Sequence, residues 1–227
     1  MIEEQLGQET ASEKETGRLE AFSDGVFAVA ITLLVFNLKV PTLGEGSIFQ
    51  QFAKIFSQDQ WISYITFFIS LATVLIMWVS HHSMFRLIHK SSSLFMFANG
   101  FLLLLVTIVP FTSQLLSENL IKPAGAAGAA CAVYAGLFMI ANIAYNLLWW
   151  SAAYRHHLLK PGVSQSLIKA RTRSYLLGFP SYLIAMVLAF WNPFVSIGIC
   201  SVLWFFWALA SYERGPKSRS QQVGQVG

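Results

Sequence analysis

Six apolar stretches constrain this chain more than anything else in it, at roughly 19–38, 61–85, 94–115, 126–150, 174–191 and 194–211. A helix needs about 20 mostly apolar residues to cross the hydrocarbon core of a bilayer. The reading is therefore an all-α integral membrane protein of six transmembrane helices. Composition agrees: 11% of the residues are charged, against about 25% in a soluble domain. The last two stretches are short and separated only by Trp191, Asn192 and Pro193, which predicts a tight helical hairpin. Pro110 and Pro180 lie inside stretches and are expected to kink them. The fourth stretch opens with AGAAGAA at 124–130, a small-residue surface on which another helix can pack closely.

Basic residues orient these spans. With the N-terminus inside, every Lys and Arg except Lys39, Lys54 and Lys122 falls in an inner segment, so both termini are expected in the cytoplasm. Trp61, Trp149, Trp150 and Trp191 fall near span ends, as an interfacial aromatic belt predicts. Residues 1–17 hold Glu3, Glu4, Glu13 and Glu15 and lack the basic start and apolar core of a signal peptide. They read as a disordered cytoplasmic tail, 18–212 as the six-helix membrane domain, and 213–227 as a basic cytoplasmic tail.

Several function classes find no support. The net charge of +4 comes from loops and does not argue for nucleic-acid binding. Cys131 and Cys200 sit in apolar runs without a CxxC or Cys/His pattern and read as buried thiols. No GxSxG, P-loop, HExxH or spaced carboxylate pair occurs within the spans, so neither catalysis nor a cofactor is expected.

The functional signal lies in the first stretch, which opens with Arg18, Ser23 and Asp24. At 100° per residue Arg18, Phe22, Gly25, Val29, Leu33 and Phe36 fall within about 40° of one line, and Thr32 about 60° from it. Ser23, Asp24 and Phe27 point to the other side. On periodicity alone the apolar stripe faces lipid or a neighbouring helix. The Thr32 hydroxyl either serves an aqueous path or bonds back to the carbonyl of Ala28. Asp24 needs a partner at that depth. Trp78, His81, His82 and Phe85 share a face of the second span by helical spacing, and Asn99 lies at a similar depth on the third. A hydrogen-bonded cluster of Ser23, Asp24, His82 and Asn99, tying the first three helices together, is the expectation. The paired histidines also admit metal binding or proton relay, but adjacent helical residues diverge by about 100° and do not readily share one ion; no metal site is expected. His156 and His157, in a basic loop, read as solvated.

Arg18, Phe22, Ser23, Asp24 and Gly25 match the RxxxFSD signature of the transmembrane-protein-175 family of potassium channels. The WxxHHxxF segment with Trp78 and His82, and Asn99 on the third span, resemble its pattern too. The resemblance covers about the first half of the chain well. It implies a homotetramer of the single-repeat bacterial type, in which four first helices surround an ion pathway and helices two to six form the scaffold. Val29, Leu33 and Phe36 then occupy the constriction positions and Thr32 that of a polar ring. Phe36 departs from the smaller aliphatic side chain expected in bacterial relatives. The implied function is passive, potassium-favouring cation conduction across a bacterial plasma membrane. No TVGYG-like loop is present, so a hydrophobic constriction that blocks ions by dewetting takes the place of a carbonyl filter. The alternatives are a proton-coupled secondary transporter using Asp24 and His82, although no inverted repeat is evident, and a non-conducting membrane scaffold.

Overall fold

The computed structural model describes residues 2–40, 42, 44–55, 58–155 and 158–212. Its helices are α1 (Ile2–Leu33), α2 (Ile48–Ile55), α3 (Gln58–Phe85), α4 (Ser93–Asn119), α5 (Ala124–Trp150), α6 (Gln165–Leu188) and α7 (Pro193–Tyr212). A 3-10 turn, Leu34–Asn37, extends α1, and a π-helical turn, Ser151–Arg155, extends α5. The basic segment expected at 213–227, and His156 and His157, lie outside the described residues.

Each of the six expected apolar stretches is largely helical, the first ending one residue past the 3-10 turn and the fifth running three residues past the end of α6. Among the described residues four segments are long and apolar enough to cross a membrane: Lys14–Asn37, Gln60–Phe85, Ser93–Asn119 and Ala124–Tyr154. The fifth stretch begins earlier than expected, because α6 starts at Gln165 and carries Lys169, Arg171 and Arg173 in its first turns. Residues 2–17 are helical rather than the expected disordered tail. Glu, Gln, Lys and Ala lose little rotamer freedom in a helix, so this polar segment continues the apolar one without a break. Helix α2 was not expected at all.

Short side chains and caps set the packing. A Cβ built on Gly128 would lie 2.9 Å from the carbonyl oxygen of Ala189, so the small-residue run of α5 lets the end of α6 approach closely. The α6–α7 hairpin forms as expected. Asn192 Oδ1 accepts from the amides of Phe194 (3.0 Å) and Val195 (3.3 Å), and Pro193 takes the first helical position, where a missing N–H costs nothing. Ser70 Oγ donates to Ser113 Oγ at 2.7 Å and Ser63 meets Ser117 at 3.1 Å, so paired hydroxyls hold α3 to α4. Trp149 is buried and donates to Thr172 Oγ1 at 2.8 Å. It therefore belongs to the core and not to the expected aromatic belt, whereas Trp61, Trp150 and Trp191 are exposed.

The α3–α4 connection is strapped to the segment after the π turn. His89 N donates to Leu158 O at 3.1 Å, and Lys160 N donates to Leu87 O at 2.8 Å. Arg171 of α6, almost fully buried, donates to the carbonyl and the hydroxyl of Ser83 at 3.2 Å each. Its guanidinium lies 5.6 Å from the centre of the Trp149 ring. Among the described residues, α1 packs against α3 and α4 by the side that carries Ser23, Phe27 and Ala30.

Candidate functional site

The two sides of α1 differ sharply. Ser23, Phe27, Ala30 and Leu34 are buried against α3 and α4. On the opposite side Phe22 is 63% exposed, Val29 55%, Leu33 40% and Phe36 79%, and Arg18, Gly25 and Thr32 are exposed with them. The stripe expected from 100° periodicity is an exposed surface of the chain, and Ser23 and Phe27 lie behind it. Thr32 Oγ1 donates to the carbonyl of Val29 at 2.8 Å. The back-bond expected as one alternative thus forms, to the residue three before it and not to Ala28.

Behind α1 runs a directed chain of hydrogen bonds. Ser23 Oγ donates to Leu19 O at 2.8 Å and accepts from Asn99 Nδ2 at 2.9 Å. Because the amide nitrogen of Asn99 faces Ser23, its Oδ1 faces His81 Nε2 at 2.8 Å and must accept there, which assigns the proton of His81 to Nε2. His81 Nδ1 is buried without a partner among the described residues. The ring is held between Phe27 and Phe85, with centroids 5.3 Å and 4.4 Å away.

Asp24 and His82 stand apart from that chain. Asp24 Oδ1 accepts from Trp78 Nε1 at 2.8 Å. His82 Nδ1 lies 3.0 Å from Glu20 Oε1, its side chain nearly half exposed, and its ring stacks on Trp78 at 5.9 Å. The expected cluster of Ser23, Asp24, His82 and Asn99 is therefore two separate connections between α1 and α3, and His81 takes the inner place given to His82. The cause is geometric: the two histidines diverge by about 100°, and only His81 points into the seam where α4 brings Asn99.

Two residues of consequence escaped the sequence reading. Asn37 is buried, and its Nδ2 donates to Pro110 O at 2.9 Å, tying the 3-10 turn to α4; an Asn closing an apolar run is its only sequence signal. Arg171, one of several cations in a basic segment, had none. Among the described residues no group of three or more His, Cys, Asp or Glu is placed to hold a metal ion. Cys131 and Cys200 are free and buried, as expected.

A bundle of long apolar helices, laced internally by Ser, Asn, His and Trp hydrogen bonds, is a multi-pass helical membrane protein. The chain belongs to the TMEM175 channel family. The family model described as "Endosomal/lysosomal potassium channel TMEM175" matches residues 18–110. A potassium channel of Chamaesiphon minutus is 43% identical over 204 residues, 89% of this chain and 98% of that protein. A potassium channel of Streptomyces collinus is 36% identical over 177 residues, 78% and 83% of the two chains. The crystal structure of a lysosomal potassium-selective channel TMEM175 homolog from Chamaesiphon minutus superposes with a TM-score of 0.73, covering 87% of this chain and 98% of that one. The likeness therefore extends well past the first half of the chain, where the sequence motifs lie.

Proposed function

We propose that four copies of this chain assemble around an axis lined by their first helices and conduct potassium passively, in preference to other monovalent cations, across a bacterial plasma membrane. In this reading six helices cross the bilayer, α3 to α7 form the scaffold, and both termini are cytoplasmic. The observation that carries it is the division of α1, in which one side is hydrogen-bonded and buried while the signature stripe stays bare. Fixing one side of a helix so firmly presents the other at a defined angle, which a shared axial path requires and closed cyclic symmetry provides. The relatives named as potassium channels support the choice of ion.

Val29, Leu33 and Phe36 then form apolar rings that dewet when narrow and stay hydrated when wide. Thr32 fits a polar ring between them. Its proton is spent on the carbonyl of Val29, so the oxygen keeps lone pairs to offer, and a partly dehydrated cation needs acceptors. Asp24 and His82, the pair a proton-coupled carrier would use, engage different partners, Trp78 and Glu20, which favours the channel. Reconstitution into liposomes with a potassium gradient tests the proposal. Electrogenic flux without a proton requirement is expected; strict proton coupling would mean a carrier, and absence of flux a scaffold.

A further inference from the structure

Helix α2 joins α1 to α3, yet none of its residues is buried. Its hydrogen bond to a neighbouring helix, among the described residues, runs from Tyr64 Oη to the Ile55 carbonyl at 3.4 Å. A helix of 8 residues is well below the roughly 12–15 at which isolated helices become even marginally stable in water. The amide of Gln50 donates to Ser47 Oγ at 3.3 Å and Gly44 N to Gln51 Oε1 at 3.1 Å, so its polar ends are capped locally, while its apolar side chains are left for something outside the chain to cover.

Its two faces identify what. At 100° per residue Ile48, Phe49, Phe52 and Ile55 fall within an arc of about 120°, while Gln50, Gln51 and Lys54 occupy the opposite side. Phe49 is 87% exposed, and Ile48 and Phe52 are exposed with it. The helix lies between Asn37, where one candidate span ends, and Gln60, where the next begins, so connectivity keeps it at the membrane surface. Exposed Trp61, in the first turn of α3, is of the type that settles at that level. An uncharged, Phe-bearing face opposed by Gln and Lys is the pattern of a helix lying in the interface plane. A second copy of the chain is a poorer occupant, because so short a helix supplies far less than the roughly 800 Å² per partner of a stable protein interface.

We infer that α2 lies in the plane of the membrane, with Ile48, Phe49 and Phe52 sunk into the boundary between headgroups and acyl chains and Lys54 turned to the headgroups. The inference rests on the membrane-spanning part of the reading above and not on conduction.

Spin labels on Phe49→Cys, Phe52→Cys, Gln50→Cys and Lys54→Cys, each in the full chain in phosphatidylcholine liposomes, test it by power saturation. The unsubstituted protein, whose cysteines are buried, supplies the background. Labels at 49 and 52 should collide with oxygen several-fold more than with a water-soluble nickel chelate, and labels at 50 and 54 the reverse. Equal access of the chelate to all four positions would overturn the anchor, and so would shielding of 49 and 52 from both reagents, which means cover by protein. A label on Leu104→Cys, an exposed position within α4, separates the two levels. If it too met the chelate, the membrane-spanning reading itself would fall.

Discussion

Asn99 is the residue on which the inner network turns, because it is both a donor to Ser23 and an acceptor from His81. Truncation to an apolar side chain orphans a buried imidazole N–H, and an unmatched buried polar group costs about 1–3 kcal/mol. Asn99→Leu should therefore lower the unfolding temperature of the detergent-solubilised protein. Adding His81→Phe to it should recover part of the loss, since removing both partners is cheaper than stranding one; a further drop in the double variant would refute the pairing. Asp24 makes a simpler demand, one acceptor for the Trp78 indole. Asn keeps such an acceptor and Leu does not. Asp24→Asn should accordingly retain the proposed tetramer on size exclusion and Asp24→Leu should lose it; equal tolerance of both would remove the bond from the account.

Among the elements, α3 shows how a helix end is completed by a distant part of the chain. The last four carbonyls of a helix have no intrahelical partner. Here His82 O, Met84 O and Phe85 O accept from Arg86 N, Leu87 N and Ile88 N at 3.1, 3.0 and 2.9 Å, and Ser83 O accepts from Arg171. The cation also lies where the negative end of the helix dipole favours it. Arg171→Met should destabilise the protein by about 1–3 kcal/mol, seen as faster hydrogen exchange at 86–88. Arg171→Lys should restore part of that protection, because a charge at the carbonyl survives although the fork to the Ser83 hydroxyl does not. Because α3 also carries Trp78 and His81, this cap lies on the line that holds α1 in place.

For the whole molecule, the proposed pathway makes the exposed stripe of α1 the variable part. Leu33→Asn and Val29→Asn put polar groups where apolar rings would dewet, so each should raise potassium flux or relax its preference over sodium. Neither side chain is buried in the protomer, so unfolding temperatures should move by about 0.5 kcal/mol or less in stability terms. Liposome flux and thermal unfolding, measured side by side, separate pore effects from folding effects; unchanged flux in both variants would place the path elsewhere.

The amino-acid sequence by itself determined the membrane environment, the positions of the apolar helices and the two-sided character of α1. Each of these follows from the length of a run or from a 100° period, and neither depends on what lies nearby. The tertiary structure alone decided which histidine faces inward. His81 and His82 flank the same face of α3 alongside Trp78, and the choice between them is made by where α4 presents Asn99. Arg171 was unreadable for a related reason: as a cation in a basic segment it is indistinguishable from its solvated neighbours until α6 folds over the end of α3. Helix α2 was too short to register against apolar runs of membrane-spanning length, and that none of its residues is buried is visible only in the fold. Periodicity is a local property and survives in the sequence, whereas hydrogen-bond partnership between helices is set by their packing.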